Sequence, residues 1–168
     1  RELEKLTEDI TGCQKSICVN SWSSGALLVF KWLGIGEGDE VIIPSYTYAA
    51  TALTVLHTGA RPIMVDINED FNINVNAIND AITPRTKAVI GVDFSGFPCD
   101  YKEIMEVISN KEKIKLYQPS NERQIKLRRI LLISDAAHSI GAIYNGKPSA
   151  LFSDFTIFSL KKKKNITT

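Results

Sequence analysis

Short apolar runs alternate with longer segments of helical period along most of the chain. Residues 130–133 are four large apolar side chains in a row, with the length and branching of a strand covered on both faces. Similar runs at residues 40–43, 61–67, 87–92 and 155–160 predict further strands, and a smaller one at 16–19 predicts another. Between them, residues 2–10, 26–33, 45–56, 75–82 and 101–108 carry helix patterns, the fourth capped by Asn74. Gly34 to Asp39 closes the second helix, and Asn145-Gly146 marks a hairpin turn. Strands that alternate with helices argue for an α/β fold of three layers, α/β/α, with a mostly parallel sheet in one domain. Residues 109–129 break the pattern: rich in Lys, Arg, Gln and Asn, they read as an exposed excursion with some helix near its end. Its cations could meet an anionic substrate, although a solvated face is the commoner meaning of such a run.

Composition changes this picture little. The chain has 168 residues, 44% hydrophobic and 23% charged, with a net charge of +1. That is enough for one domain with a real core, and it carries no surplus of charge for nucleic acid or an anionic membrane. Cys13, Cys18 and Cys99 are odd in number and lack CxxC spacing. They suit a reducing cytoplasm better than a disulfide framework or a metal site. No apolar run reaches membrane-spanning length. The abrupt finish, a strand running into KKKKNITT, leads us to expect a fragment.

Three turns carry candidate chemistry. Residues 20–25 (NSWSSG) place small polar side chains before a helix, a setting that offers N–H groups and hydroxyls to a phosphate; an ordinary serine N-cap has the same appearance. Asp135 is expected just past the carboxyl end of the 130–133 strand, where open α/β sheets bind ligands. There it is either a helix N-cap or a partner for a ligand's basic nitrogen. Ser159 and the lysine run follow another strand. A phosphorylated pyridine aldehyde uses all three: donors for its phosphate, a carboxylate that keeps its ring nitrogen protonated, and a lysine for covalent attachment.

The motifs NSWSSGA, GIGEGDEVIIPSYTYAAT, GARPIMVDI, ITPRTKAVI, ISDAAHSIGA and FSLKKKKNITT occur in this order. Together they resemble the sugar aminotransferases of the DegT/DnrJ/EryC1/StrS family over nearly the whole chain. The resemblance implies the aspartate-aminotransferase-like fold, with residues 1–168 forming most of the pyridoxal 5'-phosphate (PLP) binding large domain and the small C-terminal domain absent. It implies a homodimer that transfers an amino group, usually from glutamate, to a keto carbon of a nucleotide-linked sugar for polysaccharide or amino-sugar synthesis. Residue by residue, Ser23 and Ser24 match the phosphate turn, and Tyr48 the aromatic that stacks on the ring. Asp135 matches the partner of the pyridine nitrogen and His138 a polar neighbour on its turn. Ser159 matches a further phosphate ligand and Lys164 the Schiff-base lysine and general base. PLP-dependent sugar dehydratases share these motifs but carry histidine at the lysine position, so Lys164 argues against them. A non-catalytic relative is the other alternative. Leu160 and Lys161 to Lys163 stand where the family has histidine and small or apolar residues; three added cations would lower the pKa of Lys164.

Overall fold

The computed structural model describes residues 1–160. Five strands, β1 (Glu40–Pro44), β2 (Arg61–Val65), β3 (Thr86–Val92), β4 (Leu131–Ala136) and β7 (Phe155–Phe158), form one sheet in the order β2-β1-β3-β4-β7. Every pairing in it is parallel. A separate antiparallel hairpin, β5 (Ile143–Tyr144) and β6 (Lys147–Pro148), precedes β7. Asn145 and Gly146 at its tip both have positive φ (48° and 76°), as a two-residue hairpin of this hand requires.

Each residue of β1 and β4 is buried, which is why these strands read as unbroken apolar runs. Their alternate residues feed two cores. Val41, Ile43, Ile90, Leu131, Ile133 and Ile157 pack against α2 (Trp22–Leu33) and α3 (Ala49–Leu56). Ile42, Val89 and Leu132 face the other way, toward α4 (Val75–Ala81) and α5 (Tyr101–Ile108). Ala26, Phe30 and Leu33, one stripe of α2, are fully buried. Gly91 lets α5 come close: a Cβ there would lie 3.2 Å from the Tyr101 ring and 3.3 Å from Cys99 Sγ. The three-layer α/β sandwich follows.

Caps set the helix ends. The Asn74 side chain accepts the Ala77 N–H (2.9 Å) at the start of α4. Asn74→Ala should therefore lower stability by about 1 kcal/mol, read as a shifted urea midpoint with an unchanged slope. At the amino ends of the strands, Arg129 leads into β4 and grips Asp154, which leads into β7, through two bonds of 2.6 and 2.8 Å. Asp154 also accepts the Leu132 N–H (2.8 Å) and donates its own N–H to the Leu132 carbonyl (2.9 Å).

Several expectations are corrected. Residues 16–19 are not a strand. Among the described residues no strand pairs with them, and two of their N–H groups go instead to carboxylates of α1 (Glu2–Thr11): Glu8 takes that of Ser16 and Glu4 that of Cys18, both at 2.9 Å. Helix α2 begins at Trp22, so Ser23 and Ser24 lie within its first turn rather than before it, because Ser21 is the cap. Helix α3 begins at Ala49, not Ser45, with Tyr48 as its N-cap residue. Strands β2 and β7 stop two residues short of the expected ends. The excursion folds into α6 (Lys111–Leu116) and α7 (Glu122–Leu127), and it packs into the two cores of the sheet through Tyr117 and Leu127. Tyr117 and Gln124 are buried, and Asn121 and Gln124 donate to the Leu33 carbonyl that ends α2 (2.9 and 3.2 Å).

Candidate active site

The chain leaves β1 toward α3 on one face of the sheet, and later leaves β3 toward α5 on the other. Such a reversal opens a crevice beyond the carboxyl ends of the strands. Asp135 stands there, as the penultimate residue of β4 rather than beyond it, because pairing continues through Val92 on one side and Ile157 on the other. Alternation places it in the row of Leu131 and Ile133, on the α2 face. It is 7% exposed, and its carboxylate accepts the Ala137 N–H (3.2 Å). That contact is an Asx turn within the strand end, not the cap of a helix.

The first turn of α2 is one strand away on the same face. A Cβ on Gly25 would lie 3.0 Å from the side chain of Ile157, the residue paired with Asp135, so the missing side chain at Gly25 lets the helix start sit close without displacing Ile157. The Ser21 hydroxyl accepts the Ser24 N–H (3.1 Å), and the Ser24 hydroxyl donates to Asn20 (2.5 Å). Ser23 makes no side-chain hydrogen bond among the described residues. A helix start with its unpaired N–H groups and added hydroxyls is suited to an anion. Tyr48 precedes α3 on the same side and is 82% exposed, an aromatic face open to a ligand. His138 is half-buried in the turn after β4, and Ser159 lies half-buried one residue past β7. Ser23, Ser24, Tyr48, Asp135, His138 and Ser159 thus gather at one end of the sheet. Lys164 lies outside the described residues, as do Lys161 to Lys163.

Sequence reading missed Asp93. It follows β3 as Asp135 ends β4, an acid directly after the apolar run 87–92, and that signal was available. Asp93 is 1% exposed, on the α5 face. Its carboxylate accepts the Cys99 N–H (3.1 Å) and the hydroxyls of Tyr101 and Ser139. The Tyr101 hydroxyl also meets that of Ser134 (2.6 Å). Burial raises the Asp93 pKa, opposed by the donors Ser139, Tyr101 and Cys99. Burial likewise holds the Cys99 thiol and the Tyr101 phenol well above their ordinary values. Nearby, the rings of Tyr46, Phe71 and Phe94 meet in tilted contacts, centroids 4.9 to 5.5 Å apart, beyond the ends of β1 to β3.

The model of the DegT/DnrJ/EryC1/StrS aminotransferase family matches residues 1–122 and 123–168. The chain belongs to this family. GDP-perosamine synthase of Caulobacter vibrioides is 37% identical over 168 residues, covering 99% of this chain and 41% of its own. The spore coat polysaccharide biosynthesis protein SpsC of Bacillus subtilis is 34% identical, with 100% and 39% covered. Among solved structures, Spr1654 of Streptococcus pneumoniae, described as a sugar aminotransferase, superposes with a TM-score of 0.94 in both its apo and PLP forms. Identity to it is 38%, over 99% of this chain and 42% of that one. The fold is therefore that of the PLP-dependent sugar aminotransferases. The chain spans about two fifths of the length of these relatives. Among the described residues, no helix is long and apolar enough to cross a membrane.

Proposed function

We propose that residues 1–168 form the cofactor-binding large domain of a PLP-dependent aminotransferase. The enzyme moves an amino group from an amino acid, L-glutamate in the first instance, to a keto carbon of a nucleotide-linked sugar. One observation carries the reading: a buried carboxylate, Asp135, shares a sheet face with the N-terminus of α2, one strand away. This spacing suits a ligand that bears a basic ring nitrogen at one end and a phosphate at the other. The serines of the α2 turn and the close approach at Gly25 fit such a group.

PLP, when bound, supplies an electron sink for the carbanion formed at the donor's α-carbon. The residues do the rest. The first-turn N–H groups of α2, with Ser23, Ser24 and Ser159, hold the phosphate dianion. Asp135 keeps the pyridine nitrogen protonated, Tyr48 covers the ring, and His138 adds a polar contact from the Asp135 turn. Lys164 is the attachment point and, once free, the base that moves the α-proton. The names of GDP-perosamine synthase and SpsC support a nucleotide sugar destined for polysaccharide as the acceptor. We place the whole enzyme in the cytoplasm as a homodimer.

Borohydride reduction of the PLP-loaded chain, followed by peptide mapping, tests this. A pyridoxyl group on Lys164 is the expected result. A label on Lys161 would shift the assignment along the run, and a chain that takes up no PLP at all would refute the reading.

A further inference from the structure

Asp93 lies on the face opposite the proposed cofactor site, so it is not a ligand; its contacts nonetheless run to the turn that carries Asp135. Its backbone N–H donates to the Asp135 carbonyl (3.0 Å), and its carboxylate accepts the Ser139 hydroxyl four residues further on. Between these two ties, Asp135 uses its own carboxylate to accept the Ala137 N–H (3.2 Å). Through this contact, whatever fixes the turn also bears on the direction of that carboxylate. The other side of the clamp is anchored in the core. Cys99 N–H and the Tyr101 hydroxyl hold Asp93, Tyr101 is fully buried, and its hydroxyl reaches Ser134 of β4 itself. A buried carboxylate is tolerable only with such donors, and a satisfied polar network holds one geometry more narrowly than apolar packing does.

We infer that Asp93 is a positioning residue: through Ser139 and the Asp135 carbonyl it clamps the 135–139 turn to the end of β3 and so aims the Asp135 carboxylate at the ring nitrogen of the bound cofactor. The inference rests on the PLP reading above, but the clamp itself can be observed without cofactor.

The variants are Ser139→Ala, which removes one hydroxyl, Asp93→Ala, which removes the clamp, and Asp93→Asn, which keeps its shape. An asparagine can still accept from Cys99 and Tyr101, and its amide can donate to a rotated Ser139 hydroxyl. In the full chain without PLP, amide hydrogen exchange over residues 136–142 should quicken about tenfold in Ser139→Ala and Asp93→Ala, and stay near normal in Asp93→Asn. At saturating PLP, the pH midpoint of the cofactor's visible band should move by about half a unit or more in the first two variants and return toward its original value in the third. A purely structural role would lower occupancy yet leave that midpoint in place, and such a result would overturn the assignment. Unchanged exchange in Ser139→Ala and Asp93→Ala, with normal PLP uptake, would also sink it and leave the cofactor reading standing. If the unaltered chain never takes up PLP, the cofactor reading falls and the positioning role falls with it. Should Asp93→Ala fail to fold, the exchange rate and band midpoint of Ser139→Ala decide between the same outcomes.

Discussion

Asp135→Asn should lower amino transfer by about a hundredfold or more while leaving the fold intact. The asparagine is isosteric, and its carbonyl oxygen can still accept the Ala137 N–H that Asp135 accepts at 3.2 Å. It cannot, however, hold a proton on a pyridine nitrogen. A neutral ring withdraws electrons less strongly, so the loss falls on the proton-transfer step and on kcat. At 7% exposure there is little water to stand in for the missing charge. The measurement is steady-state transfer from glutamate in the whole protein, alongside a circular dichroism spectrum that should not change. Near-normal turnover would return Asp135 to a purely local role in its turn.

The second large effect concerns stability. Asp154→Ala should cost about 3 kcal/mol, the lower part of the range for breaking a buried ion pair, since the two side chains keep 22% and 18% of their exposure. Three things are lost at once: the two bonds from Arg129, the acceptor for the Leu132 N–H, and the anchor at the entry to β7. Asp154→Asn should cost clearly less, because an amide oxygen still accepts from Leu132. Denaturant titration decides, with equal midpoints for the two variants as the result that would contradict this account. The hydrogen bonds that Arg129 donates to Asp154 also hold its guanidinium above its ordinary pKa, so the arginine stays charged.

The central strands were legible because burial on both faces turns a parallel strand into an unbroken apolar run, as at residues 130–133. Their ends were less so. Hydropathy shows where a strand is buried, not how far its pairing extends. Asp135 is a strand residue only because Val92 and Ile157 stand beside it. The 16–19 run fails for the converse reason: among the described residues it has no strand to pair with, and two glutamates of the preceding helix take two of its N–H groups. The residues proposed to hold the cofactor were readable from local chemistry, serines at a helix start and an acid at a strand end. Asp93 gave the same local signal, but its meaning depends on Tyr101, Ser134 and Ser139, which only the folded sheet brings to it. Tyr117 and Gln124 were hidden in a charged segment, since one aromatic and one amide hold no periodicity.

Among the described residues the four pairings of the sheet are all parallel, so none can form from a tight turn. Ala88 finds Leu131, and Glu40 finds Thr86, only after the intervening segments have closed as loops. Loop-closure entropy is spent before contact is gained, and chains of this topology refold slowly, with unpaired edges exposed on the way. The α2–Asp135 crevice is complete only with β7 paired to β4, which sets Ile157 beneath Gly25. A ligand held in that crevice therefore binds the folded state and not the unfolded chain. By mass action, PLP at a hundred times its dissociation constant would deepen that state by about 2.7 kcal/mol, acting as a thermodynamic latch on an assembly that local sequence alone does little to hurry.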